Sequence, residues 1–439
     1  MPFVIVLLAV VALLILMTKL KFNGFIALLL VATVVALVQG VAPADVAGTL
    51  TKGVGNQLGS TLVIVGLGAM VGRLAGDAGA AQKIAMALVN KFGDKGVQWA
   101  MIVTAVLIGI TMFYEVAFVI VVPVAFTLVR ATRVNLLWVG LPMSITLSTM
   151  HSFLPPHPGP ITATTAFNAS VGMTLAYGLI IAVPAAIVIA MVWPRLPFIK
   201  RMNPEIPKGL VSDELLPEDK LPSFGLSLSM ALLPVVLIAG AAVFDMVAPD
   251  SPAAGVISFI GAAPIALLIA LLASIFVFGP MSGRSLKQVS DSCASSIKAV
   301  AMILMVVGAG GAFGQVLKDT GIADYIANMA AGWNLSPIVL AWLIAVILRV
   351  ALGSATVAVV TAASVVAPIA ASSGVSPELM VLAVTCGSIA ASHVNDPGFW
   401  MFKEYFGLSV GETLKARTSY TTVLSIIGLG GVLLLSLFV

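Results

Sequence analysis

Glu115 is the carboxylate whose setting most invites chemistry. It lies in Ile110-Thr-Met-Phe-Tyr-Glu115-Val-Ala-Phe-Val-Ile, with no charged neighbour within ten residues on either side. A carboxylate in an apolar segment is costly unless it is paired or protonated. That suits a group taking a proton from one side of a membrane and releasing it on the other. A glutamate capping a helix N-terminus is the alternative. A second polar cluster, Ser392-His-Val-Asn-Asp-Pro397, holds His393, Asn395 and Asp396. Short polar side chains there can bond freed backbone groups, or ligand hydroxyls and water. Asp before Pro is also an ordinary turn signal. His151, with Ser152 beside it, and His157 flank Pro155-Pro156. One imidazole is a candidate for substrate contact and the other for holding the loop, with His157, wedged between prolines, the structural one. Gly353-Ser354-Ala355-Thr356 places small hydroxyl residues between two apolar stretches. A helix N-terminus there would offer free N–H groups and a positive dipole end to an anion. Arg349, four residues earlier, is the cation near that tip. It is placed to pair with a substrate carboxylate, with Glu115 or Asp396, or to reach the membrane interface.

These clusters recur in two halves. Gly66-Leu-Gly68-Ala-Met-Val-Gly72 through Asp77, Gly79, Ala81 and Ile84 reappears as Gly308-Ala-Gly310-Gly-Ala-Phe-Gly314 through Asp319, Gly321, Ala323 and Ile326. Seven identities share one offset, 308 − 66 = 242. The same offset carries His151, four before Pro155, onto His393, four before Pro397. Two repeats, each with a polar motif inside apolar sequence, are how many secondary transporters build a central site. The Gly-rich stretches lack Gly-Lys-Ser/Thr and lie in apolar helices, so they read as close helix packing rather than phosphate loops.

Composition sets the class. Hydrophobic residues make up 60% of 439 and charged residues 9%, and mean hydropathy is +1.14. Apolar runs of membrane-spanning length recur throughout. The chain reads as a polytopic all-α membrane protein without a soluble domain. Met1–Met17 lacks a basic start and a cleavage site, and reads as a retained first helix. Cys293 and Cys386 suggest neither a disulfide framework nor a metal site, and no cofactor motif stands out. The net charge of +4, spread over loops, points away from nucleic acid and towards loop orientation in a bilayer.

Positioning those residues requires particular elements. The Arg195–Lys220 stretch, with five basic and five acidic residues, reads as a cytoplasmic linker over 195–222. It separates a first repeat, 1–222, from a second, 223–439. The first half predicts helices near 3–17, 24–39 and 56–75 and an amphipathic stretch near 80–93. The second predicts helices near 224–247, 256–279 and 298–315 and an amphipathic stretch near 322–332. Paired short arms follow, 97–112 with 116–129 and 337–350 with 357–371. Each is short for a crossing of about 20 residues, so each pair reads as a re-entrant hairpin, 97–129 and 337–371, with tips at Phe113–Val116 and Gly353–Thr356. Broken helices come next, 136–170 and 377–407, then closing helices near 172–194 and 417–438. The expected total is about 10 transmembrane helices plus two re-entrant hairpins and two broken helices. Non-helical backbone at membrane depth must line a protein-buried cavity, so both breaks and both tips should face one site. Lys19 and Lys21 place the first loop inside, while Asp245 and Asp250 follow the equivalent helix of the second half without a nearby Lys or Arg. That contrast indicates inverted topology with both termini outside; Lys298 and Lys318 depart from the pattern.

At these motifs the chain resembles the gluconate:proton symporter (GntP-type) family. The resemblance is carried by Asn23-Gly-Phe-Ile-Ala-Leu, Phe113-Tyr-Glu-Val-Ala-Phe-Val, His151-Ser-Phe-Leu-Pro-Pro-His-Pro-Gly-Pro160, Arg349-Val-Ala-Leu-Gly-Ser-Ala-Thr-Val-Ala358 and Ser392-His-Val-Asn-Asp-Pro-Gly-Phe-Trp400. It implies the ion-transporter superfamily architecture: an inverted repeat, two re-entrant hairpins, elevator-type motion and usually a homodimer. It also implies sugar-acid import with protons at a bacterial inner membrane. The expected site is His151, Ser152, Arg349, Ser354, Thr356, His393, Asn395 and Asp396 for substrate, with Glu115 and Asp396 for the proton. The same fold carrying D-serine, lactate or glycerate is the first alternative. An intramembrane hydrolase using Ser152 or Ser354 is a different class. It is disfavoured because no Gly-x-Ser-x-Gly or His-Glu-x-x-His frame is present.

Overall fold

The computed structural model describes residues 2–93, 96–109, 114–155, 157–207, 216–248, 250–321, 325 and 335–439. Among them all regular structure is helical, as a chain needs when lipid offers its backbone no hydrogen bonds. The first half runs α1 (Pro2–Leu14), α2 (Gly24–Val38), α3 (Pro43–Asp77), α4 (Ala80–Phe92), α5 (Val97–Gly109), α6 (Tyr114–Thr132), α7 (Leu136–Phe153), α8 (Pro158–Ala166) and α9 (Val171–Val192). The second runs α10 (Phe224–Val247), α11 (Ala254–Gly261), α12 (Ala263–Val277), α13 (Leu286–Asp319), α14 (Pro337–Leu352), α15 (Ala355–Ser372), α16 (Pro377–Gly387), α17 (Pro397–Tyr405) and α18 (Ser419–Leu435). A helical turn at Val410–Thr413 and a π-helical turn at Leu414–Thr418 lead into α18. Seven helices are long and apolar enough to cross a membrane among the described residues, fewer than the ten expected. Several further apolar helices, α2, α5, α14 and α16 among them, are shorter.

The long helices α3 and α13 form the spine. They run antiparallel: Gly53 meets Gly311 and Ala312, Leu58 meets Gly308, and Gly66 meets Ile297. Their glycines let the backbones touch. A Cβ on Gly53 would lie 2.6 Å from Ala312 Cα, and one on Gly311 would lie 2.6 Å from the Gly53 carbonyl oxygen. Each end carries an ion lock. Asp77 takes Arg73 at 2.9 Å and Arg284 at 3.2 Å; Asp319 takes Lys52 at 3.4 Å and the Gln315 amide at 2.6 Å. The two aspartates are repeat equivalents.

Around the spine the two halves pack alike. α5 and α7 lie together as do α14 and α16, and α7 and α9 as do α16 and α18. The halves also interlock, with α8 against α15 and α17 against α6. The described linker segments are clamped to the first half: Asn135 Nδ2 donates to the Met202 carbonyl at 2.7 Å, and Gln82 exchanges two hydrogen bonds with the Leu216 backbone.

Three expectations change. α3 begins at Pro43 rather than near 56, and α13 at Leu286 rather than near 298. Their polar first turns looked like loop, but packing in the spine overrides local propensity. The segment expected as one helix over 256–279 is two, parted at Ala262 just before Pro264, as proline dictates. The hairpin residue Phe113, the turn residue Pro156 and the amphipathic stretch near 322–332 lie outside the described residues, Tyr325 excepted.

Candidate substrate site

A cavity of about 470 Å³ opens where the long helices cross. That volume falls in the range of roughly 300–1,000 Å³ that holds small organic ligands. α3 supplies Gly53, Asn56 and Gln57; α13 supplies Gly310, Gly314, Gln315 and Lys318; the α14–α15 tip supplies Gly353, Ser354 and Thr356. Glu115, His151, Asn395 and Pro397 also line it. An inner chamber of about 70 Å³ shares Gln57, Glu115, His151, Ser354, Thr356 and Pro397, and adds Ser152, Arg349, Ser392, Asp396 and Arg417.

The second helix break is built to cap α14. A helix end leaves carbonyls without internal partners. His393 Nε2 donates to the Val350 carbonyl at 3.0 Å, and Asn395 Nδ2 donates to those of Val350 and Ala351 at 2.9 and 3.0 Å. Arg349 turns back to donate to the Gly353 carbonyl. Gly353 is in the left-handed region at φ 79°. A side chain there would strike the Asn395 backbone, so glycine is required twice over. The first break uses the same device with a different residue: His157 Nε2 donates to the Gly109 carbonyl at the end of α5, at 2.9 Å.

Charge gathers at the second break only. Asp396 caps the N-terminus of α17, accepting from the Gly398 N–H at 2.9 Å. It also accepts from the Ser392 hydroxyl and from Arg349. Arg417 Nη2 stands 3.8 Å away. Arg417 donates from Nη1 to the hydroxyls of Tyr114 at 2.7 Å and Tyr420 at 2.9 Å, and from Nε to Ser392 at 2.9 Å. Its guanidinium also stacks over the Tyr114 ring, 4.7 Å from the centroid, a favourable desolvated contact. Two buried guanidiniums face one buried carboxylate, and Arg349 Nε has no hydrogen-bond partner among the described residues. The N-termini of α6, α15 and α17 reach the same chamber through Tyr114, Ala355 and Gly398. Cations and helix N-termini converge on this small buried space, and both attract negative charge.

The expected residues separate accordingly. Glu115, His151, Ser354 and Thr356 line both spaces, Ser152, Arg349 and Asp396 only the inner chamber, and Asn395 only the outer cavity. His393 lines neither and serves α14. His157 is likewise absent from both walls and packs edge-on against His151, centroids 4.9 Å apart. The Ser354 hydroxyl caps α15 by accepting from the Val357 N–H. Sequence reasoning missed Arg417, Tyr114 and the amides Asn56, Gln57 and Gln315. Arg417 stands beside Lys415 and reads as a basic helix start, and its pairing with residues some 300 positions away leaves no local signal.

A multi-pass helical membrane protein with a polar cavity at crossed helices defines a class, the transporters. The chain matches the GntP family permease over residues 1–438 and belongs to that family. It is a permease and not an enzyme, set in the inner membrane. It is 49% identical to the high-affinity gluconate transporter of Escherichia coli K12 over 440 residues, covering 100% of both chains. It is 46% identical to the Gnt-II system L-idonate transporter of the same organism, covering 99% of this chain and 98% of that one. It is 43% identical to the gluconate permease of Bacillus subtilis 168, with full coverage of both. Among solved structures it is similar to the Alcanivorax borkumensis YdaH transporter, with a TM-score of 0.46 and 17% identity over 95% of this chain and 98% of that one.

Proposed function

We propose that this permease is a proton-coupled symporter importing gluconate or a closely related sugar acid. The observation that carries the reading is the buried Arg349–Asp396–Arg417 cluster at the base of the cavity. Two guanidiniums against one carboxylate leave one positive charge. Ionised Glu115, on the same wall, offsets it. A substrate carboxylate entering the chamber would then leave one negative charge uncompensated, which is expensive in a low-dielectric site. Protonating Glu115 removes the excess, so acid and proton bind together. Arg349 Nε and the α15 N-terminus supply donors for the carboxylate. The relatives named for gluconate and L-idonate favour a six-carbon acid over D-serine, lactate or glycerate.

Alternating access completes the reading. The antiparallel run of α3 and α13, the matching order of helices, and the crossed packing of α8 on α15 and α17 on α6 support an inverted repeat with re-entrant hairpins at α5–α6 and α14–α15. Elevator-type motion of the hairpins and breaks against a homodimeric scaffold fits that architecture. The test is uptake of labelled gluconate into liposomes holding the purified protein, driven by an imposed pH gradient alone. Wild type should accumulate gluconate, and Glu115→Gln should lose accumulation while retaining gluconate binding. Full pH-driven accumulation by the variant would remove Glu115 as the proton carrier.

A further inference from the structure

We propose that the amide wall at the α3–α13 crossing, Asn56, Gln57 and Gln315 together with Oδ1 of Asn395, reads the distal hydroxyls of the substrate and thereby sets its length. The proposal deepens the sugar-acid reading and rests on it. The joined cavity is chemically divided. The inner chamber holds both guanidiniums and Asp396; the outer cavity carries the amides, with Lys318 and the shared Glu115 as its charged groups. An acid with its carboxylate inside must therefore lay its chain along the amides. Primary amides suit that task because each offers donors and an acceptor, and each sugar hydroxyl donates once and accepts as well.

Asn395 gives the wall an unmet demand. It is 1% exposed, and its Nδ2 is spent on the α14 carbonyls, yet Oδ1 has no hydrogen-bond partner among the described residues. A buried acceptor without a donor is costly, and a ligand hydroxyl in this cavity would supply one. The other amides are held in order. Asn56 Nδ2 donates to Gln315 Oε1 at 3.2 Å, and Gln315 Nε2 donates to Asp319, which Lys52 also holds. The wall is thus fixed before the ligand arrives, which limits the entropy lost on binding.

Breakage of the repeat at these positions separates function from scaffold. The 242-residue offset keeps Asp77 as Asp319 and Gly72 as Gly314. Gln315, however, stands opposite Arg73, and Asn56 and Gln57 stand opposite Lys298 and Ala299. Amides demanded by helix packing would recur at both ends of the spine. Of the side-chain amides on α3 and α13, the cavity end holds Asn56, Gln57 and Gln315, whereas Gln288 at the far end is spent capping the start of α13.

The test uses the full-length protein in liposomes, with labelled gluconate uptake competed by unlabelled straight-chain aldonic acids of three to six carbons. Wild type should be inhibited more strongly as the chain lengthens. Gln57→Leu, Asn56→Leu and Gln315→Met should each weaken gluconate roughly 5- to 150-fold, the effect of one buried hydrogen bond, and Asn56→Leu and Gln315→Met, which lie outside the inner chamber, should leave inhibition by the three-carbon acid unchanged. That short-acid control reports in the same preparation that the protein is folded and binding. Should Gln315→Met prove inactive, the two α3 variants decide. Equal weakening at every length, or an undiminished preference for six carbons, overturns the amide wall alone. A wild type that shows no preference for six carbons over three defeats the sugar-acid reading and the wall with it.

Discussion

The two ends of the α3–α13 spine carry the same small-residue motif and differ in what covers it. At Gly310 and Gly314 the nearest groups are the carbonyls of Asn395 and Leu352, and a cavity of about 470 Å³ stands over the crossing. At the equivalent Gly68 and Gly72 the side chains of Val119 and Pro123 press in, and only about 10 Å³ remains, lined partly by Ala69, Val122 and Ser296. Glycines make close approach possible, but the neighbour decides whether the space becomes packing or site. The helix breaks show the same contrast. Both cap a hairpin arm with an imidazole, His157 on α5 and His393 on α14. Only the second adds a carboxylate between two guanidiniums. The buried carboxylate between two guanidiniums and the cavity over the crossing fall at one end of the spine.

The largest effect should come from removing that charge. Asp396→Ala strands two buried guanidiniums and should destabilise the protein by about 3–5 kcal/mol, read as a loss of thermal stability in detergent. His157→Ala, in the uncharged break, removes one neutral hydrogen bond and should cost about 1–3 kcal/mol. Equal losses would erase the distinction between the breaks.

The glycines sharpen the comparison of the two ends. Gly68→Ala and Gly72→Ala each place a Cβ 2.9 Å from a side-chain carbon of α6, and should cost about 1–3 kcal/mol through overpacking. Gly314→Ala meets nothing nearer than 3.4 Å. It should be neutral, or stabilising by up to about 1 kcal/mol, because alanine favours helix. A melting series that ranks Gly314→Ala below Gly72→Ala would show that the cavity end is the tightly packed one.

The ion locks should give the smallest contrast. Asp77 is held by Arg73, Arg284 and Ser292, with both arginine side chains about four-fifths buried. Lys52, which holds Asp319, has a side chain 58% exposed. Lys52→Ala should therefore change stability by less than about 1 kcal/mol, and Arg284→Ala by more. Raising salt should shrink the Lys52 effect first. A larger loss for Lys52→Ala than for Arg284→Ala would place the main lock at the cavity end.

Much of this architecture was legible because its causes are local. Hydropathy marks the apolar helices, Pro337 and Pro377 mark helix starts, and Gly353 and Ser354 mark the α14–α15 tip within a residue or two. Glu115 declared itself by isolation in apolar sequence. Other assignments failed where the cause was distant. The offset aligned His151 with His393, yet the carbonyl-capping role of His393 is taken in the first half by His157. His151 faces the cavity instead. The offset measures sequence register, whereas the role depends on which imidazole the turn brings to a carbonyl. Likewise the polar first turns of α3 read as loop until α13 was laid against them.

The sequence alone determined the class, the positions of most apolar helices and the identity of the polar motifs, because hydrophobic run length, glycine and proline act on nearby backbone whatever the fold. Tertiary structure alone decided which of those motifs share a space. Arg417 meets Tyr114 across 303 residues, Asn56 meets Gln315 across 259, and Arg349 reaches Asp396 across 47. No periodicity encodes such encounters. They exist because two long helices cross at glycines and two helix ends leave carbonyls and N–H groups that a polar loop must satisfy.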